Sequence, residues 1–336
     1  MIGICLIGCG RAGMIHARNF VNRIPGAALV ALADPVGEAL KSAGEELGVK
    51  NTYLDYRDAL ARSDVDAVVV VSPTKYHHDI VLDAAAAKKH VLCEKPLAMT
   101  EAECDEMIAA CAANNVKLQV GFMRRFDESF MAAKDMIDAG EIGDVVLVKS
   151  HTRGPSTPQP WMYDIRKSNG PLAEVNSHDI DTLRWFTGSE FRSLYAIGGN
   201  YRCPEAARDF PDFYDNVLLN ASFANGVQGC IDGAQGVGYG YDAETEVLGT
   251  KGVIHVGRTQ ERFVTACSRD DGTMKTPYIT SWRKLFIEAY LTEDRHFAEC
   301  IERDLTPRVT GLDGKMAVRV VNAGNLSIVE KRIVQL

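Results

Sequence analysis

Residues 2–13, "IGICLIGCGRAG", run a short apolar strand directly into Gly8, Gly10 and Gly13 at G-x-G-x-x-G spacing. The spacing alone is a weak signal. Its setting, a strand before it and a helical pattern from Ala12 to about Val21 after it, is the one the motif requires. Gly8 allows a tight turn, Gly10 lets the backbone approach a pyrophosphate, and Gly13 allows close helix–strand packing. Arg11 and Ala12 complete the loop, and the helix N-terminus offers N–H groups to phosphates. A strand that feeds a helix in this way belongs to a βαβ unit and so to a parallel sheet.

The residues up to Gly121 repeat the arrangement. "ALVALAD" (28–34) is a second strand, followed by a helix over 37–47. "AVVVVS" (67–72) is continuously apolar and β-branched, as in a strand buried on both faces. The helix "HHDIVLDAAAAKK", the strand "HVLC", a helix from Thr100 to about Asn114 and the strand "KLQVGF" complete the series. After Gly121 the pattern changes. "DVVLVKSHT" (144–152) is a longer strand, and Ala224-Asn225-Gly226 and Gly249-Thr250-Lys251-Gly252 are turn signals between alternating apolar residues. One long helix follows over about 286–302. The prediction is an α/β chain with a parallel nucleotide-binding domain over 1–121. A second α/β domain, with a mostly antiparallel open sheet, covers 122–336, and its C-terminal segment is free to pack back on the first.

Composition removes several classes. The chain has 336 residues and a formal net charge of -8, which argues against nucleic acid as a partner. No stretch of about 18 apolar residues occurs, and the N-terminus lacks the pattern of a secretion signal, so a soluble cytoplasmic protein is expected. The nine cysteines include no C-x-x-C pair, and neither a disulfide framework nor a bound metal is expected.

Asp34 ends the second strand about 20 residues after the last glycine, where an acid accepts hydrogen bonds from the adenosine ribose. It would repel a 2′-phosphate, and Pro35-Val36-Gly37 offer no arginine to hold one, so the reading is NAD rather than NADP. Ser72, Thr74 and His77 follow the strand "AVVVVS" and are candidate cofactor contacts, because loops at strand C-termini line the ligand crevice of such sheets. Glu94-Lys95-Pro96 stands at another strand C-terminus. There Lys95 can polarise a substrate hydroxyl, while Glu94 orients Lys95 or contacts the cofactor.

"GCGRAGMIHARN", Asp34, "KKHVLCEKPLA" and "VGFMRRFD" together resemble the Gfo/Idh/MocA family, that of glucose–fructose oxidoreductase and inositol dehydrogenase, and the resemblance runs through the whole chain. It implies a Rossmann domain followed by an α/β domain with a large open sheet, a catalytic lysine at Lys95, and a homodimer or homotetramer built on that sheet. The family's second signature, Asp-x-x-x-His, is matched by Glu174 and His178 in "NGPLAEVNSHDIDTLRWFTG" (169–188), with Glu in place of Asp. On one helix, residues i and i+4 meet, so Glu174 could support His178 as the base that takes the hydroxyl proton. Asp179 and Asp181 read as solvated or helix-end residues, with contact to substrate left open for Asp179. Arg125, Arg153 and Asn176 are candidate substrate contacts. The implied activity is NAD-dependent oxidation of a secondary hydroxyl of a cyclic polyol or sugar, of myo- or scyllo-inositol type, to the ketone. The alternatives are a sugar oxidoreductase that retains NAD through a closed redox cycle, and an NAD-binding regulatory protein. A regulator has no need of both Lys95 and His178.

Overall fold

The structure is a computed structural model and describes residues 1–262, 264–270 and 272–336. The chain forms two compact units: residues 1–126 with 288–319, and residues 127–287 with 320–336. The first break falls five residues beyond the predicted one, and the segment 288–319 belongs to the first unit.

The first unit is the predicted parallel sheet. Its elements run β1 (Ile2–Ile7), α1 (Gly13–Asn22), β2 (Ala27–Ala33), α2 (Gly37–Leu47), β3 (Thr52–Tyr53), α3 (Tyr56–Leu60), β4 (Ala67–Val70), α4 (His77–Ala86), β5 (His90–Glu94), α5 (Glu101–Ala113) and β6 (Leu118–Gly121). The strand order is β3-β2-β1-β4-β5-β6, which reverses between β1 and β4. Ligands of doubly wound sheets bind at the carboxyl ends of the strands beside such a reversal. Val68, Val69 and Val70 of β4 are inaccessible to solvent, as the unbroken β-branched run requires of a central strand. Thr100 and Glu103 form a capping box that starts α5.

The second unit begins with α6 (Glu128–Asp138) and β7 (Val145–Gly154). Three helices follow, α7 (Ile165–Ser168), α8 (Gly170–Glu174) and α9 (Ser177–Thr187). Then come β8 (Phe191–Gly199), β9 (Asn216–Phe223), β10 (Gln228–Gln235), β11 (Asp242–Gly249) and β12 (Val253–Gly257). A two-stranded ribbon pairs β13 (Ala266–Cys267) with β14 (Met274–Lys275), and the short helix α10 (Trp282–Leu285) follows. Helices α11 (Ile287–Glu302) and α12 (Gly311–Glu330) and the strand β15 (Val334–Gln335) end the chain. The large sheet has the order β12-β11-β7-β10-β9-β8-β15. Its neighbours pair antiparallel except β7 with β10. Both turn signals close hairpins, β9–β10 and β11–β12, and Gly226 takes a φ of +88° in the first. Strand residues alternate over much of this sheet: Leu194, Ala196, Val217, Leu219, Ile231 and Val148 are buried, while Tyr195, Ile197 and Leu218 are exposed on the other face.

Candidate active site

The glycine turn of the first unit separates its three glycines by function. A Cβ on Gly8, whose φ is +104°, would lie 2.5 Å from the Val71 carbonyl oxygen, and one on Gly13 would lie 2.0 Å from that of Gly8. These two are demanded by the fold itself. A Cβ on Gly10 would meet nothing within 4 Å. The protein does not need a glycine at Gly10 for its own packing, and the open space there is what close approach of a pyrophosphate requires. Arg11 is exposed and Ala12 half-buried beside it.

Asp34 follows β2 directly. Its Oδ2 accepts from the Cys9 N–H at 2.7 Å and its Oδ1 from the Val36 N–H at 2.8 Å, so the carboxylate is fixed against the glycine turn. The buried Oγ of Ser72 has no hydrogen-bond partner among the described residues, and Thr74 is half-buried two positions on. An orphaned hydroxyl, an open glycine and a fixed carboxylate at the strand ends fit a dinucleotide.

His77 is a correction. It was expected to face the cofactor, but its ring is buried, with Nδ1 2.9 Å from the Pro96 carbonyl and Nε2 2.7 Å from that of Ser72. Burial pulls its pKa below the ordinary value. Both ring nitrogens face the backbone of two loops, so His77 ties the Ser72 turn to the Lys95 turn. The Lys95–Pro96 peptide is cis. Oε2 of Glu94 accepts the Lys95 backbone N–H at 3.0 Å.

Behind Glu94 lies a polar cluster that sequence reasoning missed. His16 of α1 is inaccessible to solvent, with Nδ1 2.6 Å from Asp294 Oδ1 and Nε2 3.2 Å from Glu94 Oε1. Asn19 donates to the other Asp294 oxygen at 2.8 Å. Burial opposes a charge on His16, but Asp294 and Glu94 outweigh it and carry its pKa well above the ordinary value. The neighbouring Glu293 is fully buried, and neither of its carboxyl oxygens has a hydrogen-bond partner among the described residues. Burial first, then the Glu94 charge, push its pKa far above the carboxylate range, so the group is held neutral. A signal was present. His16 and Asn19 fall on the buried stripe of α1 with Ile15 and Phe20, and buried polar residues must find partners.

In the second unit Glu174 and His178 do not share a helix. Glu174 closes α8, Val175 and Asn176 intervene, and His178 is the second residue of α9. The two side chains therefore stand on consecutive helices joined by a two-residue turn rather than on one continuous helix. The segment is entered through a tight turn: Asn169 and Gly170 both have positive φ, and a Cβ on Gly170 would crowd Ile165 and Tyr214. The Tyr214 hydroxyl accepts from the Leu172 N–H at 3.2 Å and donates to Asn325 at 2.7 Å, anchoring α8.

Asp179 and Asp181 are buried rather than solvated. Asp179 accepts from Asn176 Nδ2 at 2.8 Å and from Ser150 Oγ at 2.6 Å, and Ser150 also bonds Thr245 at 2.9 Å. Asn176 thus orders the start of α9 against β7. Arg153 is a second correction. It alternates with Ser150 and Thr152 on β7 and so points from the opposite face of the sheet to the one Asp179 packs on. There it pairs with Asp232, near Tyr239 and Asp242, and the structure does not bring it to His178. His151 joins the same group at 2.8 Å from Asp242, whose hydrogen bond and charge raise the histidine pKa against the opposing effect of burial. Arg125, in the first unit, is buried, and one of its nitrogens donates to Asp313 at 3.0 Å.

Comparison with known proteins agrees with this geometry. Residues 2–122 match the family model described as "Oxidoreductase family, NAD-binding Rossmann fold" and residues 130–255 the "GFO/IDH/MocA C-terminal domain". The chain is 35% identical to the myo-inositol 2-dehydrogenase of Thermotoga maritima, over 99% of this chain and 98% of that one. It is 34% identical to the scyllo-inositol 2-dehydrogenase (NAD(+)) of Bacillus subtilis, over 98% and 95%. The solved scyllo-inositol dehydrogenase of Lactobacillus casei, with bound NAD(H) and scyllo-inositol, superposes with a TM-score of 0.90 at 29% identity, covering 100% of this chain and 99% of that one. The chain belongs to the Gfo/Idh/MocA family of NAD-binding oxidoreductases.

Proposed function

We propose that this enzyme oxidises one ring hydroxyl of an inositol-type cyclic polyol to the ketone, with NAD as the hydride acceptor. The observation that carries the substrate class is likeness along essentially the full length to dehydrogenases named for myo- and scyllo-inositol. The glycine turn with Gly10 left open, the backbone of Arg11 and Ala12, Asp34, Ser72 and Thr74 hold the dinucleotide. Bound NAD supplies the redox chemistry by accepting hydride. The residues of the chain handle the proton. His178 takes it from the substrate hydroxyl, Lys95 polarises the oxygen, and Glu174 supports the histidine. Arg125 and Asn176 contribute to substrate binding. Assembly is a homodimer or homotetramer through the exposed face of the large sheet, where Tyr195, Ile197 and Leu218 form an apolar patch.

The test is a spectrophotometric screen for NADH formation with inositol stereoisomers and common aldoses. Turnover with one or more inositols, well above that with aldoses, is expected. Oxidation of aldoses alone would move the substrate to the sugars. No NADH with any polyol, from a protein that binds NAD, would end the dehydrogenase reading.

A further inference from the structure

We infer that His16, with Asp294 behind it, is a positioning residue for Lys95, acting through Glu94. The inference rests on the reading of Lys95 as the group that polarises the substrate hydroxyl. Three observations lead to it. Lys95 leaves the sheet at the end of β5, and its backbone N–H is held by Glu94 Oε2 at 3.0 Å. The other oxygen of that carboxylate faces His16 Nε2 at 3.2 Å, and the far ring nitrogen faces Asp294 at 2.6 Å. One carboxylate therefore joins the Lys95 backbone to a buried histidine, and a second carboxylate fixes the ring.

The space for this chain of contacts is built into the sheet. Gly121 lies beside Glu94 in the β5–β6 register, and a Cβ there would stand 2.9 Å from the Glu94 carboxyl carbon. The ring of His16 also meets the edge of Tyr290 at 5.2 Å between centroids, which leaves it little freedom to turn. Glu94, Asp294, Glu293 and Tyr290 are the titratable groups that face it. On the other side of the turn His77 holds the Pro96 carbonyl, so the residues on either side of Lys95 are each tied to a buried histidine. A side chain that must meet a reacting oxygen gains from such a frame, because misplacement by about 1 Å can cost ~10²-fold in rate.

The two amide replacements of His16 separate positioning from packing. Asparagine places its nitrogen near the position of Nδ1 and keeps the Asp294 bond while losing Glu94. Glutamine reaches the position of Nε2 and keeps Glu94. Steady-state turnover is measured for both, with NAD affinity by fluorescence titration and thermal midpoint as controls. His16→Asn is expected to lower kcat at least ~10-fold with NAD affinity nearly unchanged, and His16→Gln to restore most of it. In a Lys95→Ala background the His16→Asn step is expected to cost less than about twofold, because groups acting as one unit are not additive.

Wild-type kcat in His16→Asn, equal losses in both amide variants, or the same factor lost with and without Lys95 overturns the inference. Should His16→Asn fail to fold, the same cycle is run with Glu94→Gln, which leaves no buried charge unpaired. A small loss from it that persists in the Lys95→Ala background counts against positioning. Full turnover in Lys95→Ala itself removes the catalytic reading instead, so the two failures are distinguishable. Elemental analysis closes one other route: a stoichiometric metal ion retained by the purified enzyme would make His16, Glu94 and Glu293 a cation site and overturn the positioning role.

Discussion

Lys95 and His178 carry the sharpest expectations at the scale of single residues. Lys95→Ala is expected to reduce turnover by about 10²–10⁴-fold, the usual contribution of one acid–base group, with NAD affinity little changed. Steady-state kinetics beside a cofactor titration checks both halves of that statement. Glu293 yields a prediction about stability. Its folded-state pKa is raised, so its contribution is fully present below the unfolded value near 4.5 and is lost as pH rises through the folded one. His16 has the same sign, since its pKa is raised too. The wild-type thermal midpoint is therefore expected to fall from neutral to alkaline pH. Glu293→Gln removes one of the two titrations. At pH 8 it is expected to raise stability by about 1–3 kcal/mol, the linkage cost of keeping the carboxyl protonated well above its unfolded pKa, with little gain at pH 4. Calorimetry at the two pH values decides it. Lys95 and Asp34 were legible because each closes a strand whose apolar run is unmistakable. Glu293 and Asp294 were not, because the groups that face them, His16 and Glu94, lie far away in the sequence.

Elements were read best where one hydrophobic period dominates. The run Ala67–Val70 and the hairpin around Gly226 follow directly from β-branched residues and a residue able to take positive φ. The longest helix, α12, was missed as an element. Its glycines at 311, 314 and 324 lower its helix propensity, yet each sits where a side chain would collide: a Cβ on Gly314 would lie 2.9 Å from Leu97, and one on Gly324 2.7 Å from Leu172. Close packing overrides helix propensity there. The break between α8 and α9 was missed for a related reason, since the Asn176 side chain packs against Gly233 of β10, a tertiary contact. Gly233 tests how tightly that region is built. A Cβ at this position would fall 2.0 Å from the Asn176 side-chain oxygen. Gly233→Ala is expected to cost about 1–3 kcal/mol through overpacking and to lower kcat by displacing the start of α9. Urea denaturation and activity of the folded variant together measure both effects.

For the whole molecule, the proposed function makes Asp34 the residue that selects the cofactor. Catalytic efficiency with NAD is expected to exceed that with NADP, and Asp34→Ala to narrow the gap, as measured with both cofactors at fixed substrate. Light scattering at micromolar concentration is expected to give a dimer or tetramer mass, and Leu218→Glu, which charges the apolar patch of the sheet, to shift it toward monomer. The alternation of strands and helices made the α/β class legible at the outset, but the composition of the two units was less so, because neither is one continuous stretch of chain. That discontinuity has a consequence during biosynthesis. Leu291, Phe297 and Ala298 belong to the same hydrophobic core as Ile4, Leu6, Phe20 and Leu92, and Asp294 is the partner of His16. A nascent chain emerging at about 5–20 residues per second must therefore wait roughly 10–40 s, while residues 127–319 are made, before its first-formed sheet is closed. Through that interval the sheet of residues 1–126 presents an apolar surface and an uncompensated histidine, and is the part most in need of a chaperone.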